Sequence, residues 1–499
     1  MTATQASSQA AQPATTFESR NPATDEVIAT FPVHTETDVS EAVGRARGAA
    51  TWWRDLGHDG RKRRMRGWRA LLVRRSDEFA ELIHRENGKP ADDALGEIIL
   101  AIEHVSWAAS NAEKVLGRRR VAPGMLAMNH TASAEYVPFG VVGVIGPWNY
   151  PVHTPMGSIT YALAAGNAVV FKPSEYTPAI GKWLVDSFAE VVPEQPVFQL
   201  VTGFGATGAA LCRAGVDKLA FTGSTATGKK VMAACAETLT PILIECGGKD
   251  ALIVADDADL DAAVDATVWG AMANSGQTCT GVERAYVVEP LYDEFVARVT
   301  REAGRIRGGS DAAANYGPMT MPGQIDVIRR HIDDALARGG RAVVGGPESV
   351  QPPYVQPVVL VDVPEDSAAI QEETFGPTVT IGRVRDVDEA VRLANANPFG
   401  LGGAVFSAKH GEQIAARLSC GMVSINSAIT FATVPGLPFG GVRNSGFGRI
   451  HGPDGLREFA WPRAVTHLRY PSPIKVLTFR RTPRDVAWLV RMVKARWGR

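Results

Sequence analysis

Val141-Val142-Gly143-Val144-Ile145-Gly146 is the first of five short apolar runs that decide the fold. AVVFK (168–172), VFQLV (197–201), KLAFTG (218–223) and PILIEC (241–246) follow, each separated from the next by a stretch of helical periodicity. A strand buried on both faces reads as a continuous apolar run, so this alternation predicts a parallel sheet covered by helices on both sides. After Asp250 a second set begins with ALIVA (251–255), a helix through Ala273, RAYVV (284–288) and a helix through Ile306. RAVVGG, VTIGRV, GGAVF and MVSIN complete it between 341 and 426, and predict a second α/β domain. Upstream, helical patterns cover Glu36 to Leu56, Arg61 to Glu86 and Ala91 to Leu116.

A chain of 499 residues is too long for one core, and 45% hydrophobic with 21% charged residues is the composition of an ordinary globular protein. Its net charge of -1 excludes a general attraction to nucleic acid. The basic run Arg61, Lys62, Arg63, Arg64, Arg66, Arg69 reads as a solvated helix face, since acids follow at Asp77, Glu78 and Glu81 and no aromatic platform interleaves. Five cysteines (212, 235, 246, 279, 420) at irregular spacings indicate neither a disulfide framework nor a zinc site, and a reducing cytoplasm is expected. No metal is expected. The first sixteen residues lack charge and an apolar segment, so they are expected to be disordered and not a targeting peptide. No apolar window is long enough to span a membrane.

Two glycine-rich turns compete for a phosphate. Gly203 to Gly208 matches GxGxxG after a strand, but the acid expected about 20 residues on is missing, which favours a tight structural turn. Gly223-Ser224-Thr225-Ala226-Thr227-Gly228-Lys229 matches GxxxxGK, with Lys230 in place of the magnesium-binding hydroxyl. A helix N-terminus suited to a pyrophosphate without metal remains there, against the alternative of a plain cap.

Glu245 in Glu245-Cys246-Gly247-Gly248-Lys249-Asp250 and Cys279 in Gly276-Gln277-Thr278-Cys279 stand 34 residues apart. They offer a carboxylate able to activate water and a thiol able to attack a carbonyl, each flanked by glycine. Four further strings are unusual: Gly146-Pro147-Trp148-Asn149-Tyr150-Pro151, Phe171-Lys172-Pro173-Ser174-Glu175, Glu372-Glu373-Thr374-Phe375-Gly376-Pro377 and Leu437-Pro438-Phe439-Gly440-Gly441. With these, the chain resembles the aldehyde dehydrogenase superfamily from about Phe17 to Val465, its PWN, KPSE, GSTxxG, ELGGKD, GQxC, ExFGP and PFGG motifs appearing in order. Cys246 departs from the leucine usual after the base.

The resemblance implies a Rossmann-like cofactor domain (17–120 and 139–247), a catalytic domain (248–461), a small β oligomerisation element (121–138 and 462–480) and a tail (481–499). It implies Cys279 as nucleophile, Glu245 as general base for thioester hydrolysis, and Asn149 with the Cys279 N–H as oxyanion site. Trp148, Lys172, Glu175, Gly223, Ser224, Gly228, Glu373 and Phe375 are implied to bind the cofactor. Glu175 would repel a 2′-phosphate, so NAD is expected over NADP. Tyr150, His153, Thr154, Gly157, Met272, Thr278, Thr280 and Phe431 fall where relatives line the aldehyde tunnel. With small residues at Thr154 and Gly157 and no arginine among them, a roomy mouth for a neutral medium-chain or aromatic aldehyde is expected, with succinic semialdehyde the alternative. A catalytically retired binding relative is the other function class, and the intact Asn149, Glu245, Cys279 and Glu373 argue against it. His451, in a Gly-Arg-Ile-His-Gly turn, is expected to be structural.

Pro471 to Arg499 carries eight Lys/Arg against one acid, with Val486, Leu489, Val490, Val493 and Trp497 at helical spacing. Subunit docking, in a homodimer or tetramer, and contact with a membrane surface are the two readings of this basic amphipathic segment.

Overall fold

The computed structural model describes residues 15–472 and 474–498. The five apolar runs form a parallel sheet in the order Ile242–Cys246, Lys218–Gly223, Val141–Ile145, Ala168–Lys172, Phe198–Leu200. The chain starts in the middle strand, winds to one side, then crosses over and winds to the other. Such a reversal opens a crevice beyond the carboxyl ends of the strands, where ligands of open parallel sheets bind. Register fixes what faces it: Ile145 lies opposite both Lys172 and Phe221, and Thr222 opposite Glu245. The segments after these residues therefore leave the sheet at one level.

Helices cover both faces. Helix His153–Ala165 is buried along its whole length, which explains why its sequence is apolar all round. Trp53, Trp68, Phe171, Phe188 and Phe198 fill the core around it, Trp53 donating to the Leu163 carbonyl of that helix and Trp68 meeting Phe188 edge-on at 5.0 Å. The second sheet runs Arg341–Val344, Val358–Val361, Thr378–Val384, Val282–Val288, Asp250–Val254, Gly403–Phe406, Ser424–Ile425, with only its first strand antiparallel. A three-stranded antiparallel sheet joins Arg119–Val121, His130–Pro138 and Ala460–Leu468. Helix Pro483–Trp497, opened by a Thr482/Asp485 capping box, contains no buried residue.

Four expectations need correction. Thr16 starts a strand, Thr16–Arg20, so the segment expected to be disordered does not extend to it; residues 1–14 lie outside the described residues. The helix expected over Arg61 to Glu86 is two, Gly57–Arg74 and Ser76–Asn87, because Arg75 leaves helical geometry at φ -112. Arg61 is no solvated charge: it is buried, donates to the carbonyls of Ala164 and Arg54, and burial lowers it to about 10. Finally, the last part of 248–461 does not stay with the second sheet. Phe431, Phe439, Ile450, Leu456 and Phe459 enter the first core, and Gly446–Phe447 adds an antiparallel strand beside Ile242–Cys246, pairing Gly446 with Glu245.

Candidate active site

Beyond the strand ends lies a cavity of about 710 Å³. Trp148, Asn149, Lys172, Glu175, Gly223, Ser224, Glu245, Cys279, Glu373 and Phe375 all border it, so residues spread over 228 positions of sequence converge on one space. Gly228 does not border it. It sits one turn into helix Thr225–Ala236, where a Cβ would approach the Cys246 sulfur to 3.0 Å, so its role is close packing. Gly205 and Gly208 of the other glycine-rich turn also face the cavity, which goes beyond the purely structural role expected for them.

The loop that carries Cys279 is held in an unusual backbone. Asn274, Ser275 and Gly276 are all left-handed, at φ 53, 60 and 69. At Gly276 a Cβ would lie 1.9 Å from the Gly376 carbonyl oxygen, so only glycine fits. Gln277 clamps the loop: its amide donates to the Asn274 carbonyl at 3.0 Å and accepts from Thr320 N–H at 2.9 Å. The result projects Cys279, partly exposed, into the cavity.

Glu245 enters from the end of its strand, and both its carboxylate oxygens are buried without a hydrogen-bond partner among the described residues. Burial raises it to about 8. Burial also pushes the Cys279 thiol well up, with the Glu245 carboxylate the next contributor. Glu245 and Cys279 thus share an environment in which neither holds a negative charge easily.

Asn149 is fixed from two sides. Its side-chain amide donates to the Gln277 carbonyl at 2.9 Å, leaving its second N–H free for a ligand. Its own carbonyl accepts from Lys89 at 3.1 Å and Asn274 at 3.0 Å. Lys89 is in turn paired with Glu97, both fully buried, and Glu97 caps the turn after Asn149 by accepting from Val152 and His153 N–H at 2.7 and 2.9 Å. A second buried pair, Lys249–Glu283, supports the opposite wall: Glu283 accepts from the N–H groups of Thr374 and Phe375 at 2.8 and 3.0 Å. This orients Glu373, which accepts from Gly248 N–H at 3.0 Å, and Phe375, which meets Trp148 edge-on at 5.5 Å. Sequence reasoning missed Lys89, Glu97, Lys249 and Glu283 as positioning residues.

Ser224, also on the cavity, caps helix Thr225–Ala236, accepting from Thr227 N–H, and the helix N-terminus faces the space. Lys172 and Glu175 border it as well. A cavity of this volume, bordered by a helix N-terminus and by a thiol, has the size and donor set for a dinucleotide.

The expected tunnel residues do not form one wall. Thr154 borders the cavity, and Tyr150 hydrogen-bonds Thr278 at 3.1 Å beneath it. Thr280 and Phe431 instead line a separate pocket of about 10 Å³ beside Asp250, and Met272 is buried in the second core. Gly157 gives no roomy mouth: a Cβ there would meet the His451 ring at 2.7 Å and Ile450 at 2.8 Å, so the space is already filled. His451, expected alone in a turn, is buried against His104 and His153.

Residues 9–465 match the aldehyde dehydrogenase family. The chain belongs to that family. Accordingly it is an NAD(P)-dependent aldehyde dehydrogenase, and the convergence of Cys279, Glu245 and Asn149 is where its chemistry is expected. It is 38% identical to a 4,4′-diapolycopene aldehyde oxidase of Methylomonas sp over 90% of this chain and 85% of that protein. A succinate-semialdehyde dehydrogenase [NADP(+)] of Deinococcus radiodurans is 35% identical, over 93% and 97%. Among solved structures, the NAD+ complex of a Bacillus cereus aldehyde dehydrogenase superposes with a TM-score of 0.86 at 31% identity, covering 91% of this chain and 93% of that one.

Proposed function

We propose that this aldehyde dehydrogenase oxidises a neutral, largely apolar aldehyde, with NAD its preferred acceptor. The observation that carries the substrate class is the distribution of charge around the cavity. Its bordering cations are Lys172, Arg213 and Lys230, beside Glu175 and the helix capped by Ser224, whereas the segments around Cys279 and Thr154 bring no arginine or lysine to it. A carboxylated aldehyde would want a bidentate cation near the nucleophile. The resemblance to a protein named for an apolar aldehyde, 4,4′-diapolycopene aldehyde, supports the same reading. Glu175 on the wall supports NAD, since a 2′-phosphate beside it would meet like charge.

In this reading the Cys279 sulfur adds to the aldehyde carbon as the thiolate, its proton having gone to solvent, so that Glu245 stays available for the later step. The new alkoxide takes hydrogen bonds from the free Asn149 amide N–H and the Cys279 backbone N–H, each such donor worth roughly 3–4 kcal/mol in the transition state. Lys172, Glu175, Ser224 and Glu373 would hold a dinucleotide in this cavity, and it would supply the hydride acceptor; loss of hydride from that tetrahedral carbon leaves a Cys279 thioester. Glu245 then removes a proton from water as it attacks the thioester carbon; the C–S bond breaks and the acid departs. Following NADH absorbance across neutral and carboxylated aldehydes tests the reading: a kcat/KM for succinic semialdehyde at or above that for octanal or benzaldehyde overturns the substrate class. Faster turnover with NADP would overturn the cofactor preference.

We further infer that the exposed C-terminal region docks a second copy of the chain. Trp461, Leu468 and Tyr470 point outward from the small antiparallel sheet and its exit, next to a tail helix with no buried residue, and this supports a subunit contact. No helix among the described residues is long and apolar enough to cross a membrane. Sedimentation of the full chain against one ending at Pro471 tests this; equal assembly states, or tail-dependent pelleting with anionic vesicles, would replace it with the membrane-surface reading.

A further inference from the structure

We propose that His104, His153 and His451 form a binding site for a zinc-class divalent metal ion, with three imidazole ligands and a fourth position open. The three residues come from distant parts of the chain: helix Ala91–Leu116, the first position of helix His153–Ala165, and the turn before helix Gly452–Glu458. One nitrogen from each ring lies within 4.8 Å of the other two. Ligands of a tetrahedral ion with metal–nitrogen bonds of about 2.0–2.1 Å stand about 3.3 Å apart, so side-chain rotations that close the gaps by about 1.5 Å complete the geometry.

The hydrogen bonding also points to a ligand. Nδ1 of His104 lies 3.1 Å from the Tyr161 hydroxyl, whose own proton goes to the Pro435 carbonyl while it accepts from Gly452 N–H. Tyr161 can then only accept from His104, which fixes the Nδ1–H tautomer and leaves the Nε2 lone pair unused. That is how an outer partner orients a ligating imidazole. His104 Nε2, His153 Nδ1 and both ring nitrogens of His451 are buried without any partner among the described residues. Orphaned nitrogens at this density are costly in a packed interior unless something bridges them.

Local backbone agrees. His451 sits at φ 64, ψ 160, a conformation costly for any residue with a side chain, and Gly157 provides the space its ring occupies. No cysteine joins the cluster, and Glu97, the nearest acid to act on His153, is fully engaged by Lys89 and two backbone N–H groups. Three neutral imidazoles without thiolate or free carboxylate suit Zn²⁺, Co²⁺, Ni²⁺ or Cu²⁺ and not Mg²⁺ or Ca²⁺. The ion would tie together three segments, one of which begins four residues after Asn149.

The test uses the full chain carrying Cys279→Ala, so that the catalytic thiol cannot bind metal, stripped with chelator and titrated with Co²⁺ and then Zn²⁺. The expected result is one equivalent of Co²⁺ with visible d–d absorption of a four-coordinate nitrogen site, displaced by Zn²⁺, together with a higher Tm in the presence of Zn²⁺. His104→Gln and His451→Gln, each in that background and each checked for native circular dichroism, should weaken binding at least tenfold. Absence of saturable Co²⁺ binding, a sulfur-to-cobalt charge-transfer band, or unchanged affinity in whichever glutamine variant folds would overturn the proposal.

Discussion

If Glu245 must be ionised to deprotonate the hydrolytic water, its burial writes itself into the pH profile. With the carboxyl raised to about 8, only about 9% is ionised at pH 7 and about 1% at pH 6. Under conditions where thioester hydrolysis limits turnover, kcat should therefore rise about tenfold per pH unit up to pH 7.5 and level off above pH 9. The assay is NADH absorbance at saturating aldehyde and NAD, with stopped-flow mixing to establish a pre-steady-state burst, since a burst shows that a step after hydride transfer is limiting. Glu245→Gln should keep the burst while the steady-state rate falls 10²–10⁴-fold and loses its pH dependence. Stability runs the other way. A carboxyl whose pKa is raised by folding favours the folded state fully only below its unfolded value near 4.5, and this contribution is lost progressively as pH rises to about 8. On the order of 4 kcal/mol is forgone by pH 8, so Glu245→Gln should melt at a higher temperature than the parent there and at a similar one near pH 4.5. A flat kcat between pH 6 and 9 despite a burst, or a glutamine variant no more stable at pH 8 than at pH 4.5, would refute the reasoning.

Other substitutions follow from the same geometry. Asn149→Ala removes one oxyanion donor and should lower kcat by about 10²–10³ with the fold retained, read in the same NADH assay. Glu283→Gln breaks a buried pair with Lys249 and should cost about 3–5 kcal/mol in denaturant unfolding while raising KM for the dinucleotide, because the Glu373–Phe375 loop loses one of its two acceptor oxygens. Gly276→Ala, whose methyl group would meet the Gly376 carbonyl, should abolish turnover before it abolishes folding, a difference visible by comparing activity with circular dichroism. Glu175→Gln should narrow the ratio of NAD to NADP turnover.

Much of the candidate site was legible in sequence because each residue proposed to react sits in a short string whose glycines and prolines mark where the backbone turns. Asn149, Ser224 and Glu245 follow or end predicted strands of one parallel sheet, so their meeting in one crevice follows from that sheet, whereas Cys279 reaches it from the turn between a helix and a strand of the second sheet. The residues that hold them were not legible. Lys89, Glu97 and Glu283 each look like an ordinary surface charge, and only tertiary burial turns them into acceptors and donors for a loop over 50 residues away. Arg61 misled for the same reason, since a basic run does not say which of its members faces inward. The tunnel positions failed differently: carrying them over from relatives assumes that a small residue leaves a gap, whereas at Gly157 the space is taken by His451 from almost 300 residues downstream.

The return of the chain from the second sheet to lie beside Glu245 limits how this enzyme can be recombined. A chimera that exchanged only the contiguous cofactor segment, 139–247, would import a strand whose edge partner, Gly446–Phe447, and whose packing residues Phe439, Ile450 and Phe459 still came from the recipient. Transplanting cofactor preference therefore means moving two pieces of gene, the second of them encoding roughly residues 431–460.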